Sequence, residues 1–200
     1  MGYLVTGHFT LEKPNPERVR AALPTPVGFG IYRHESLAVF AIDTFRASKP
    51  THYPLSTATP GTDLPLQLPP DLQAVNDIYE ELRKKGTANG LKRSYISLSR
   101  MLSAGLEQSV LSAFSDDEDC DFACVSRDGT TGRVVARCGD DLILFDKGRL
   151  SVTKTEDERT LHAVVSREFE LFTGQPASAL GLGSFDAPDV FGFVPVEHVA

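Results

Sequence analysis

The side chains with the most capacity for chemistry crowd into SDDEDCDFAC, residues 115–124. Asp116, Asp117, Glu118, Asp119 and Asp121 place five carboxylates within six positions, with Cys120 among them and Cys124 just after. Such groups ligate metals, exchange protons or, as thiolates, attack electrophilic carbon. Spacing tests each option. A structural zinc site needs four ligands, yet Cys120-x3-Cys124 is joined only by Cys138, and no second cysteine pair or close His pair completes the set. A hairpin turning at Asp128-Gly129 would return Cys138 opposite residues 119–121, making Cys120 and Cys138 neighbours with Asp119 or His162 as the nearest further donors. The EF-hand order of carboxylates, glycine and a later glutamate is absent. The sequence therefore assigns neither a metal ligand nor a cofactor.

Catalysis fares no better. Cys124 would act as a nucleophile only if His162 or His34 approached it in space. It alternates with Phe122 and Ser126 on one strand face, which is the pattern of a buried structural cysteine. The segment GTANGLKRS, 86–94, has the wrong glycine spacing for a phosphate loop and follows a helix instead of a strand. GLGSF, 181–185, lacks the third glycine of a dinucleotide turn, and no G-x-S-x-G elbow occurs. The five histidines are scattered, and the basic cluster Arg83, Lys84, Lys85, Lys92 and Arg93 reads as helix-end complementation. No catalytic residue is assigned.

The elements that must position these residues begin with a strand at 3–11, a short helix capped by Asn15 and opened by Pro16, and strands at 29–34 and 37–46. Six prolines between 47 and 70 make that stretch a loop. Leu72, Val75, Ile78, Tyr79 and Leu82 form a helical stripe over 71–85. Tyr95, Leu98, Leu102, Leu106, Val110 and Phe114 form another over 92–114. From 121, DFACVS, RVVARC, DLILFD and RLSVTK read as a four-stranded antiparallel meander, with turns at Asp128-Gly129 and Lys147-Gly148. Residues 155–174 read as a helix with a Thr155/Glu158 capping box. The apolar content of 175–200 predicts a tail packed on the body. The fold class is α+β with a mainly antiparallel sheet: βαββ opening, helical middle, meander and late helix. The chain is expected to form a single α+β domain, 1–200, or two lobes, 1–114 and 115–200, that share a core.

Composition narrows the function classes. With 41% hydrophobic and 24% charged residues the chain is ordinary globular protein. A formal net charge of −7 disfavours nucleic acid and anionic membranes. The N-terminal MGYLVTGHFTLEK lacks the basic start and apolar run of a signal peptide, and an odd cysteine count fits a reducing compartment, so a cytoplasmic location is expected. Placed after the C-terminus of a helix at 92–114, the acidic run is unfavourable to its own helix, which points outward to a cationic partner. The expected function is a non-catalytic protein-binding protein, of the kind in which an immunity or inhibitor protein neutralises a basic bacterial toxin or effector. Asp116, Asp117, Glu118, Asp119 and Asp121 are the expected partner-binding residues. The alternative is a small hydrolase or transferase with a site assembled from dispersed residues.

Overall fold

A computed structural model of the chain describes residues 5–23, 29–43, 69–83, 92–116, 120–154, 164–175 and 193–199. Nine antiparallel strands form one sheet: β1 (Val5–Thr10), β2 (Phe29–His34), β3 (Phe40–Asp43), β4 (Val110–Asp116), β5 (Cys120–Arg127), β6 (Thr130–Cys138), β7 (Asp141–Asp146), β8 (Arg149–Lys154) and β9 (Phe193–Val199). Their spatial order is β8-β7-β6-β5-β4-β1-β3-β2-β9. The helices are α1 (Pro16–Ala22), α2 (Pro70–Arg83), α3 (Lys92–Leu106) and α4 (Val164–Thr173). The α+β class and the antiparallel pairing agree with the sequence. The 114/115 boundary falls inside β4, which pairs with β1 along one edge and β5 along the other.

Local chemistry explains the element ends. The Asn15 side chain accepts the N–H groups of Glu17 and Arg18, two donors that the first turn of α1 leaves without intrahelical partners. Asp128-Gly129 and Lys147-Gly148 all have positive φ, as two-residue hairpin turns require.

The helical stripe predicted to reach residue 114 stops at Leu106. Glu107 enters the left-handed region at φ 57°, and the chain re-enters the sheet as β4. Period 3.6 and period 2 coincide here. Leu98, Leu102 and Leu106 continue numerically into Val110, yet Leu111 and Ala113 are equally buried on the opposite face, which only a central strand allows. The meander consequently has five strands, β4 to β8. The acidic run follows a strand, so the helix-dipole argument for it does not apply. Of the helix expected over 155–174, Val164–Thr173 is α4, and 155–163 lies outside the described residues. The Pro-rich loop lies outside them as far as residue 68. The tail contributes β9, paired with β2.

The sheet is covered on both faces. Against one face α1 and α3 bury Val19, Leu98 and Leu102 over Ile31, Ile42 and Val110, and α2 adds Leu72 and Val75 over Val134 and Phe145. On the other face α4 buries Val165 and Phe169 against Phe9, Leu111 and Ala123. Phe169 meets Phe9 edge to face at 5.4 Å.

Candidate functional site

The acidic segment divides. Asp116 is the last residue of β4 and stands opposite Cys120 in the β4–β5 ladder. Asp117, Glu118 and Asp119, which connect the two strands, lie outside the described residues. Asp121 separates from the run: it is 4% exposed and accepts a 2.8 Å hydrogen bond from Arg137 Nε, its cross-strand partner on β6. A carboxylate paired inside the fold is not at the surface for a partner, which takes Asp121 out of the expected partner-binding set. Cys120 and Cys138 are direct register partners, as the hairpin predicted. Among the described residues no group of three or more His, Cys, Asp or Glu side chains is placed to hold a metal ion.

Cys124 ends a short polar row, His8–Ser112–Cys124, across the sheet. Registered neighbours run Ile42, His8, Ser112, Cys124 and Val134. His8 Nδ1 is 2.6 Å from Ser112 Oγ, and both side chains are fully buried. Burial pushes the Cys124 thiol up to about 12, against the opposing effect of hydrogen bonds with Ser99 and Ser112. Burial also lowers His8 to about 4. A thiol and an imidazole held neutral beneath α3 have neither the charge state nor the access that nucleophilic work needs. Among the described residues the histidine in this row is His8, one of five scattered through the sequence with no motif around it. His162 is outside the described residues. His34 is in a different place, accepting N–H groups of Ser36 and Leu37 in the β2–β3 connection.

The accessible concavity is on the opposite face. A groove of about 700 Å³ runs between α4 and the end of the sheet where β5, β6 and β7 turn. Its apolar lining is Leu11, Val125, Leu171 and Phe172. Leu11 is 42% and Leu171 64% exposed, among the most exposed large apolar side chains described. The charged lining is Arg127, Asp128, Arg133, Asp146, Lys147 and Glu168, equal numbers of each sign. Arg133 organises it. Its guanidinium holds both Glu168 oxygens, at 2.7 and 2.8 Å, and lies 3.4 Å from Asp146. Those contacts raise its pKa, with the Glu168 hydrogen bonds the leading cause.

Sequence reasoning missed this groove. Its lining comes from widely separated segments, but one signal was present. Val165, Phe169 and Phe172 form the apolar stripe of α4, and Glu168 falls on that stripe, where a charge needs a partner. Comparison with protein families, with curated proteins and with solved structures returns no match. Among the described residues no helix is long and apolar enough to cross a membrane.

Proposed function

We propose that this chain is a protein-binding protein that acts by surface docking without covalent chemistry, in the manner of an immunity or inhibitor protein neutralising a basic toxin or effector. The groove along α4 carries this reading. Exposed aliphatic side chains bordered by fixed charges of both signs are the anatomy of a protein-recognition surface: an apolar centre to desolvate, and polar groups to set register. The net charge of −7 adds long-range attraction for a cationic partner, and the segment 116–119 concentrates it. The reactive-type side chains support docking over turnover, because Cys124 and His8 are buried, neutral and on the face away from the groove.

The test is calorimetric titration, with stopped-flow association kinetics at several salt concentrations, of the purified product of the adjacent upstream gene, if basic, against the wild-type chain and two variants. Leu171→Asp is expected to weaken binding roughly tenfold or more. Asp116→Asn/Asp117→Asn/Glu118→Gln/Asp119→Asn is expected to slow association and flatten its salt dependence. Unchanged affinity in the first variant would remove the groove from the interface. Unchanged association kinetics in the second would remove the acidic segment.

A further inference from the structure

The outer edge of β8 offers a second, chemically different surface. β8 is the last strand in the sheet order, and five of its six residues are exposed. Asp146 and Arg149 close the two-residue hairpin at Lys147-Gly148. A closing pair of that kind exchanges both of its hydrogen bonds, so Arg149, Ser151 and Thr153 bond inward to β7. Leu150, Val152 and Lys154 therefore turn their N–H and C=O groups outward, and none of them is a proline. The opposite edge strand, β9, carries Pro195, which lacks a backbone donor.

Side chains give this edge a preference. Leu150 and Val152 stand across from Phe145 and Ile143 of the core, and Val152 remains 43% exposed. An added strand with alternating apolar residues would extend that core by one step. β8 and its turn carry three cations, Lys147, Arg149 and Lys154, and no carboxylate of their own; Asp146 and Asp141 of β7 stand across from Arg149 and Lys154, so the hairpin 141–154 keeps one net positive charge in a chain of net charge −7. Two copies pairing edge to edge would bring two such sets together along one seam, and like charges along an edge oppose pairing.

We propose that β8 accepts an extended, acidic, alternately apolar segment of a partner protein as a tenth strand. Main-chain hydrogen bonds supply the attachment, and the three cations select carboxylate-bearing strands. This goes beyond the groove reading and uses none of the groove residues except Lys147.

The probe is a soluble synthetic peptide of alternating Glu and Val, with an alternating Lys and Val peptide as control, titrated into the isotopically labelled full chain while backbone amide exchange is followed. The Glu-Val peptide is expected to slow exchange at Leu150, Val152 and Lys154, and the Lys-Val peptide to bind roughly tenfold more weakly or less. Val152→Pro removes an outward donor while leaving the inward ladder to β7 intact, and is expected to cut affinity roughly tenfold. The charge-reversed variant Arg149→Glu/Lys154→Glu keeps all donors and is expected to switch preference to the Lys-Val peptide. Exchange unchanged by peptide at those three amides overturns the proposal, as does equal binding by both peptides. Protection that rises with the concentration of the chain alone would assign the edge to a second copy and overturn the partner.

Discussion

Arg133 and Glu168 join β6 to α4 through two parallel hydrogen bonds, 2.7 and 2.8 Å long, with the carboxylate 3% and the guanidinium 29% exposed. A bidentate pair this sheltered fixes geometry as well as energy. Among the described residues, Glu168→Ala leaves the guanidinium only its 3.4 Å contact with Asp146. We expect a loss of about 2 kcal/mol in urea denaturation, with faster amide exchange in α4 than in β4–β6. Arg133→Lys should lose most of the same amount, because an ammonium cannot reproduce the fork.

His8 predicts an acid-sensitive fold. Its native pKa of about 4 lies below the ordinary 6.5, so the unfolded chain binds the proton more readily. Its contribution is fully present above pH 6.5 and is lost as pH falls through 4, a change of about 3 kcal/mol. His34 is shifted in the same direction by burial, against an opposing effect of Glu35. Unfolding free energies at pH 7 and pH 4.5 should differ less in His8→Gln than in the wild type. Equal pH dependence would show that His8 is protonated without consequence.

Cys124 should be silent to thiol reagents. With its pKa at about 12, the thiolate fraction at pH 8 is on the order of one in ten thousand, and 1% exposure denies access. Iodoacetamide followed by peptide mass spectrometry is expected to label Cys124 only in denaturant. Labelling in the native state at the rate of a free thiol would contradict the burial described.

Gly105 separates two opposing forces. In an isolated helix Gly→Ala gains about 1 kcal/mol. Here a Cβ at Gly105 would lie 2.5 Å from the Ala22 Cβ and 3.5 Å from the Arg18 carbonyl oxygen, where α1 crosses α3. Gly105→Ala is therefore expected to lose about 1–2 kcal/mol, and Ala22→Gly in the same chain to restore part of that.

Much of this architecture was legible in residue order. The hairpins at Asp128-Gly129 and Lys147-Gly148 and the start of α1 at Asn15-Pro16 rest on local backbone chemistry, which a sequence states directly. β4 was not legible, because Val110 and Phe114 sit at positions that suit a helix and a strand equally, and the choice was made by β1 and β5 pairing on either side. Asp121 looked like its acidic neighbours until Arg137, far along the chain, stood beside it. The His8–Ser112 contact and the groove share that origin in long-range register. The Arg133–Glu168 clamp left a partial trace, a glutamate on an apolar stripe, with nothing to name its partner.

The antiparallel partnership of β2 with β9 has a consequence for synthesis. β4 to β8 are consecutive neighbours, so that half of the sheet can zip up hairpin by hairpin as it leaves the ribosome. β2 waits. Its flank, lined by Phe29 and Ile31, is closed only when residues 193–199 emerge, after the other eight described strands. Until then the nascent chain carries a bare, apolar-bordered edge, the kind of surface that recruits chaperones or seeds aggregates. The last strand works as the seal on the first half of the protein, and chains shortened before residue 193 should accumulate as insoluble material even though the meander they retain is complete.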